Sequence, residues 1–389
     1  MTIRFITAWN GNHADQIVSG LSVAEEKRLI ALGFAVADLY GPGGNLREIV
    51  HYTSTGTVLV RPDSLSTRFY KNPTPIFSSS QSTYPTYFWW FVVDVSRISG
   101  ALGRYYAYYS TDHDATFGGI AMAYSNDPLG PWTNYGEVFV DKIRTTNGSF
   151  HGQTESPSVI VDADGTLRMF YQQIKAVVNG VNANGVQSTI SAVSTNGINW
   201  TVDPTFILDV PPLSGPSGIG RNAGDGHTGY FVPFRYKNRW SAYSLYGSGD
   251  YGRFALHHCT GKLNEWITDA RPLGANQLAA QLPDGQPRRI GWNGSTVFET
   301  ANGPVLLATL APTVSGGASS NTAVMAIGPI SSDLRRPIGQ LQQIWEPTLS
   351  WESTAFAGCS SFITNGTLYI YYLVTTGGVR YVGVLTYVI

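Results

Sequence analysis

The sequence predicts an all-β protein, a five-bladed β-propeller with a small N-terminal α/β module, and three observations support this fold class. The composition combines 43 Gly, 21 Pro and 22 Tyr with only 13% charged residues, which suits short strands joined by tight turns. A hairpin pattern recurs five times along the chain. Its last copy stops one strand short, which predicts that residues near the start of the chain complete it.

Residues 1–45 are predicted to form the separate N-terminal module. Ile3 to Ala8 alternate like a strand, and Ser22 with Glu25 three residues later is a capping box that predicts a helix. The run Gly41 to Gly44 follows as a predicted linker. The order of TIRFITAWNG and IVSGLSVAEEKRLIALGFA resembles the short N-terminal segment of many tailed-phage virion proteins.

The five repeats each begin with a hairpin, and its tight turn is followed by an apolar or aromatic strand. These turns lie at Gly103, Gly165, Asn238, Gly303 and Gly366, at intervals of 62 to 73 residues. Such a spacing is long enough for four strands and their loops. We therefore assign residues 46–389 to the propeller, with its closing strand or strands drawn from residues 47–77. The predicted blades lie near residues 85–141, 150–209, 222–273, 288–348 and 353–389.

Three tryptophans end the third strand of successive repeats, namely Trp132, Trp200 and Trp266. Their fixed place predicts packing between blades rather than contact with a ligand. The turns between first and second strands are short, whereas the links that enter each first strand are long. Long loops on one face of a propeller predict that the binding site lies at the mouth of its central funnel.

Candidate site residues follow from counting back about ten residues from each tight turn. The count gives Asp94, Glu155, His227 with Asp225 nearby, Asn293 and Phe356. Several polar groups thus converge on one axial region. Carboxylates held together in a partly desolvated cavity acquire divergent pKa values, as a paired acid and base require.

Two segments, AYSNDPLGPW and ESPSVIVDADGTLRMFY, resemble the five-bladed propeller glycosidases that include glycoside hydrolase families 43 and 32. The resemblance implies that Glu155, in a Glu-Ser-Pro element, is the acid, with Asp94 or Asp225 as base or nucleophile. His227 and Asn293 would then hold hydroxyl groups. The blade expected to carry the base contributes FAGCSSF, which has no carboxylate.

Two function classes therefore stay open. The first is a glycoside hydrolase that acts through Glu155. The second is a lectin-like or structural virion protein that uses the same funnel, with Trp89, Trp90 and Tyr230 stacking on sugars. In both, the expected ligand is a bacterial surface polysaccharide or oligosaccharide.

Partners and location are expected to follow the virion resemblance. Residues 1–45 are expected to bind other virion proteins, and the chain is expected outside the cell after host lysis, since the N-terminus lacks the order of a secretory signal. A formal net charge of −1 gives no electrostatic reason to expect nucleic acid or an anionic membrane. No cofactor is predicted, and homo-oligomerisation is left open.

Overall fold

The structure of the chain is a computed structural model, which describes most of the propeller and the strands of the N-terminal segment. The described residues are 2–5, 17–19, 35–40, 46–52, 58–60, 69–81, 89–111, 118–141, 143–144, 150–151, 154–174, 177–178, 181–182, 186–208, 226–247, 253–269, 279–281, 287–300, 303–310, 324–352 and 356–388. These residues form two compact units. One contains residues 1–70, 363–368 and 386–389, and the other contains residues 71–362 and 369–385.

The first unit contains a five-stranded antiparallel sheet of the order β2-β1-β3-β4-β5. Its strands are β1 Thr2–Phe5, β2 Ile17–Ser19, β3 Ala35–Tyr40, β4 Leu46–Tyr52 and β5 Val58–Val60. The predicted strand at Ile3 is present. The predicted helix after Ser22 and the linker at Gly41 to Gly44 lie outside the described residues.

The predicted module boundary at residue 45 falls inside this sheet. Strands β3 and β4 pair with each other, with Ala37 opposite Val50, and β5 pairs with β4. The segment around Val58, which the sequence suggested as a closing strand of the propeller, therefore extends the N-terminal sheet. A Gly- and Pro-rich run serves as a hairpin turn as readily as a linker, so its composition could not distinguish the two.

The remaining long strands form the blades of a five-bladed β-propeller. Pairing within each blade is antiparallel, and a short parallel pairing of Val186 and Gln187 with Gly226 and His227 joins blades 2 and 3 into one sheet. Blade 1 contains β8 Phe91–Asp94, β9 Tyr105–Ser110, β10 Ile120–Ser125 and β11 Thr133–Phe139. Blade 2 contains β14 Thr154–Val161, β15 Leu167–Ile174, β18 Val186–Ser194 and β19 Thr201–Leu208. Blade 3 contains β20 Gly226–Tyr236, β21 Arg239–Gly247, β22 Arg253–Cys259 and β23 Trp266–Thr268.

The last two blades follow the same order. Blade 4 contains β25 Pro287–Thr300, β26 Gly303–Leu310, β27 Val324–Pro329 and β28 Gln342–Trp345, with β24 Ala279–Gln281 paired to the start of β25. Blade 5 contains β29 Phe356–Thr364, β30 Thr367–Thr376 and β31 Val379–Val388. Short two-residue strands lie in the links, namely β12 Ile143–Arg144, β13 Phe150–His151, β16 Val177–Val178 and β17 Val181–Asn182.

The fourth position of blade 5 is filled by residues from before the first blade. Strands β6 Tyr70–Lys71 and β7 Phe77–Ser78 both pair with β31, with Val382 opposite Phe77. This pairing supplies hydrogen-bond partners to β31, which would otherwise be an exposed edge strand of blade 5. The only helical element among the described residues is a 3-10 turn at Ser79–Gln81, and no described helix is long and apolar enough to cross a membrane.

Apolar side chains fill the seams between neighbouring blades. Trp200 of blade 2 packs edge-on against Tyr108 of blade 1 at 5.6 Å between ring centroids. Trp266 of blade 3 packs edge-on against Phe170 of blade 2 at 5.7 Å, and Trp132 of blade 1 shares a buried core cluster with Tyr371 of blade 5. The prediction that these three tryptophans pack between blades is confirmed. Each seam joins two sheets face to face, as the alternation of inward side chains along a strand requires.

Candidate functional site

The first strands of four blades share a backbone irregularity at equivalent positions, and we call this position the bulge. One residue in each takes a left-handed φ, with values of 55° at Ser156, 51° at Tyr230, 98° at Gly294 and 145° at Gly358. The strand register shifts around this residue in β14, β20 and β25. A bulge of this kind re-aims the neighbouring side chain.

Contacts between neighbouring first strands confirm the equivalence. Ser158 Oγ donates to the Phe231 carbonyl at 2.5 Å, and Ser360 Oγ donates to the Trp90 carbonyl at 2.5 Å. In each pair the donor lies two residues after the bulge residue of its own strand. Trp89 is therefore the blade 1 counterpart of Tyr230. In blade 4 a Cβ on Gly294 would collide with the Cys359 carbonyl of blade 5, so the two strands approach closely there.

The residues just before the bulge are Glu155, Gly229, Asn293 and Ala357, with residue 88 of blade 1 outside the described residues. They lie at the end of each first strand that is remote from the tight turn, which we call the mouth end. The count of ten residues thus gives the bulge-preceding position in blades 2 and 4. It misses this position by two residues in blade 3 and by one in blade 5.

Among the residues that directly precede the bulge, Glu155 is the ionisable one. Its side chain is completely buried, and its Oε1 accepts a 2.6 Å hydrogen bond from Nε2 of Gln172, which lies opposite it on β15. The following residue, Ser156, donates its backbone N–H to Ser110 Oγ of blade 1 at 2.8 Å. Blade 1 therefore fixes the backbone of the bulge, and blade 2 fixes the carboxylate.

Polar contacts continue from this pair into blade 3. Gln172 lies opposite Thr189 on β18. Thr189 donates two hydrogen bonds to Thr228, from its backbone N–H to Oγ1 at 3.0 Å and from its Oγ1 to the carbonyl at 2.8 Å. All four side chains are buried. A buried polar row is stable only when its members are hydrogen-bonded, and it then holds them in a single geometry. We call Glu155, Gln172, Thr189 and Thr228 the acidic row.

Asp94 lies at the other end of its strand. It is the last residue of β8, where its carboxylate accepts from the Ser96 backbone N–H at 2.8 Å and forms an ion pair with Arg104 at 3.2 Å. Burial raises its pKa, but the hydrogen bonds from Ser96 and the Arg104 cation outweigh burial, so the pKa lies below its usual value. The expectation that Asp94 joins Glu155 as base or nucleophile is therefore corrected: the loop before Gly103 is long, and a count of about ten residues ends at the turn.

The predicted stacking residues belong to the core. Trp89, Trp90 and Tyr230 are 2%, 1% and 3% exposed, and Trp89 packs against Tyr230 at 5.2 Å between centroids. Aromatic faces consumed by this packing do not present themselves to a sugar. The double tryptophan looked like a binding platform because sequence alone does not show that it immediately precedes a buried strand.

For two other predicted residues the structure describes only the backbone, and a third lies outside the described residues. His227 lies in β20 and Asn293 in β25 by their backbones, and Asp225 lies outside the described residues. Asn293 directly precedes its bulge residue, as Glu155 does. Phe356 begins β29. Among the described residues no group of three or more His, Cys, Asp or Glu side chains could hold a metal ion.

Sequence reasoning missed Asp141, which follows the last strand of blade 1. Its carboxylate accepts a 2.6 Å hydrogen bond from the Tyr171 hydroxyl, and its backbone N–H and carbonyl both bond with Thr154 Oγ1 at 3.1 Å. Thr154 directly precedes Glu155, so a second acidic residue reaches the mouth end of blade 2. An aspartate two residues after an outer strand was the available sequence signal.

The fold resembles carbohydrate-active propellers of known structure. An N-acetylgalactosamine deacetylase from F. plautii, solved with blood group B trisaccharide, matches 82% of this chain and 95% of its own at 12% identity, with a TM-score of 0.55. A glycosyl hydrolase from Bacteroides ovatus matches 82% and 92% at 17% identity, with a TM-score of 0.51. A member of the GH130 mannoside phosphorylase family, described as containing hydrolases of β-1,2-mannosidic linkages in Candida mannan, matches 82% and 93% at 16% identity, with a TM-score of 0.50.

These likenesses define the class of fold, a five-bladed propeller of the kind found in glycoside hydrolases. No protein-family model matches the sequence, and no curated protein is significantly similar to it. At identities of 12 to 17% the shared property is the arrangement of blades. The chemistry of this chain has to be argued from its own residues.

Proposed function

We propose that this propeller binds carbohydrate at the mouth end of its first strands, and that its ligand is a bacterial surface glycan met by a phage virion. The observation that carries the proposal is the buried Glu155 carboxylate, held by Gln172 at 2.6 Å at a bulge that recurs around the ring of blades. A buried, oriented hydrogen-bonding group discriminates strongly for ligands that match it, because a ligand that does not match leaves it unsatisfied.

Two further points support the carbohydrate part. Propellers with this arrangement of blades include proteins described as acting on mannosidic linkages and on N-acetylgalactosamine. The net charge of −1 and the low content of charged residues fit a neutral, hydroxyl-rich ligand better than a polyanion. The virion part rests on the resemblance of residues 1–45 to phage virion segments, with attachment to other virion proteins proposed for that region.

Hydrolysis is the second candidate, and Glu155-Ser156-Pro157 favours it. In that reading Glu155 protonates the glycosidic oxygen while a second carboxylate acts as base or nucleophile. Asp94 is unsuited to that second role because it is ion-paired at the turn end of blade 1. Binding therefore fits the described residues with fewer requirements than hydrolysis does.

The decisive experiment compares wild type with Glu155→Gln on a panel of purified bacterial lipopolysaccharides and capsular polysaccharides. Affinity is measured by calorimetry and reducing-end release by a colorimetric assay. We expect wild type to bind at least one polysaccharide, and Glu155→Gln to weaken it by roughly 10- to 100-fold, the value of a hydrogen bond to a charged group. Asp164→Asn, in the exposed turn of the same hairpin, is the matched control and should bind like wild type.

The same assay separates the two candidates. If the protein hydrolyses its glycan, Glu155→Gln should lower sugar release by roughly 10²- to 10⁴-fold, the usual contribution of general acid catalysis, while binding persists. If it only binds, wild type releases no sugar. Absence of binding to every polysaccharide would overturn the proposal, and so would equal affinity of wild type and Glu155→Gln with no loss of sugar release.

A further inference from the structure

Blade 2 has a second polar cluster at its mouth end, on the sheet face opposite the acidic row. Side chains alternate along a strand, so Thr154 and Glu155 point to different faces, as do Gln172 and Gln173. The face that carries Tyr171 packs against blade 1, where Tyr171 shares a core with Tyr108. Thr154 and Gln173 extend this face to the mouth end.

Asp141 lies at this blade 1–blade 2 seam and is held there by three side chains of blade 2. Besides the Tyr171 and Thr154 bonds, its carbonyl accepts from Gln173 Nε2 at 3.0 Å. Asp141 is half-buried. Among the described residues the one donor to its carboxylate is the Tyr171 hydroxyl, on Oδ2, so Oδ1 remains available as an acceptor.

Two buried polar atoms on this face of blade 2 have no hydrogen-bond partner within the described part of the chain. These are Oε1 of Gln173 and Oγ of Ser188. The two residues are only 1% and 0% exposed, and they lie directly opposite each other on β15 and β18. Buried polar atoms almost always have hydrogen-bond partners. Two such atoms without partners at one place therefore indicate a ligand that supplies the hydrogen bonds.

The chemistry of the cluster specifies that ligand. Asp141 Oδ1 and Gln173 Oε1 only accept hydrogen bonds, and Ser188 Oγ can both donate and accept. A ligand must therefore donate hydrogen bonds to two acceptors and form a hydrogen bond with the Ser188 hydroxyl. Adjacent hydroxyl groups of a sugar ring satisfy this pattern, whereas a simple anion would be repelled by the carboxylate.

We propose that Asp141, Gln173 and Ser188 form a second carbohydrate subsite, the seam site, which binds adjacent ring hydroxyls on the blade 1 side of blade 2. The inference rests on the proposed function, because it supposes that a glycan reaches this mouth. It adds a contact set that is separate from Glu155 and lies across the sheet from it. A glycan spanning both sites would straddle the mouth end of blade 2.

The test uses free monosaccharides, because they report on the seam site whether or not any polysaccharide binds. Methyl α-D-mannopyranoside, N-acetyl-D-galactosamine and D-glucose are titrated into isotope-labelled protein, and the side-chain amide signal of Gln173 is followed. Loss of that signal in Gln173→Leu assigns it. We expect at least one sugar to shift the signal, and Asp141→Asn and Ser188→Ala each to weaken that sugar by roughly tenfold.

Asp94→Asn is the matched control, since it alters a part-buried aspartate of the same blade at the opposite end, and should leave the titration unchanged. The monosaccharide titration does not depend on polysaccharide binding, so failure of the polysaccharide assay and failure of the seam site are distinguishable. If all three sugars leave the Gln173 signal unmoved, or if nuclear Overhauser contacts show that water alone fills the seam at saturating sugar, the proposal is wrong.

Discussion

Glu155 and Asp94 are acidic residues on the first strands of neighbouring blades, and the end of the strand at which each lies decides its character. Glu155 lies at the mouth end, completely buried and held by an amide. Asp94 lies at the turn end, with 28% of its side chain exposed and an arginine beside it. Both residues are acidic and both lie on first strands. Their burial and their hydrogen-bonding partners therefore distinguish a candidate functional group, Glu155, from a surface ion pair, Asp94.

A third carboxylate extends the comparison. Glu352 has a completely buried side chain and faces Lys71 at 3.0 Å. It also accepts from the Tyr372 hydroxyl at 2.6 Å and from the backbone N–H of Thr348 and of Leu349. Burial raises the pKa of Glu352, but these donors and Lys71 outweigh burial, so the pKa lies below its usual value. This is a buried charge with a full set of partners.

The largest effect is therefore expected from Lys71→Met, which removes the cation and keeps the side-chain length. Removing one partner of a buried ion pair costs roughly 3–5 kcal/mol, and the remaining donors to Glu352 place our expectation near the lower end, at about 3 kcal/mol. Urea unfolding at pH 7 measures the free energy of unfolding. Because Glu352 has a lowered pKa, its stabilisation is complete above its unfolded pKa and is lost as the pH falls through the folded one, so the difference should shrink in acid.

The double variant Lys71→Met with Glu352→Gln controls this result. Neutralising both partners removes the buried uncompensated charge, so the double variant should recover part of the loss. A loss for Lys71→Met below about 0.5 kcal/mol would place Lys71–Glu352 in the same class as exposed pairs, and the contrast with Asp94 would fail.

An intermediate effect is expected from Gln172→Leu, which removes the amide that donates to Glu155. Leaving a buried acceptor short of a donor costs roughly 1–3 kcal/mol. Glu155→Gln keeps hydrogen-bonding capacity at the same place and is expected to cost less than Gln172→Leu. Thermal unfolding of the two variants at pH 7 measures the order, and the reverse order would show that the carboxylate charge contributes more than the amide contact does.

The repeat in the sequence was sufficient to predict the propeller because blade spacing depends on local features. A turn such as the one at Gly165, with φ of 87°, is recorded in the residues that form it. The pairing of β31 with β7 could also be anticipated, since three strands in the last repeat require a fourth. The continuation of the N-terminal sheet beyond residue 45 could not be predicted, because the composition of the run Gly41 to Gly44 between β3 and β4 suits a linker equally well.

The site was harder to predict because it depends on turn length and on contacts between blades. Glu155 was found by counting back from Gly165, whereas the same count in blade 1 ended at Asp94, at the other end of the strand, because β8 ends at Asp94 and β9 begins only at Tyr105. The burial of Trp89 by Tyr230 is a contact between blades with no local signature. Asp141 was missed because its partners, Thr154, Tyr171 and Gln173, belong to the next repeat.

The smallest effect is expected from Asp94→Asn, which neutralises the carboxylate at the turn end and keeps its shape. The ion pair with Arg104 is partly exposed, and such pairs contribute about 0.2–1 kcal/mol, less at high salt. The lowered pKa of Asp94 means that this contribution is present above about pH 4 and is lost as the pH falls through the folded pKa. Urea unfolding at low and high salt and at pH 7 and pH 2 should show a small loss only at low salt and pH 7. Weakened polysaccharide binding in this variant would return Asp94 to the site and remove the distinction between the two strand ends.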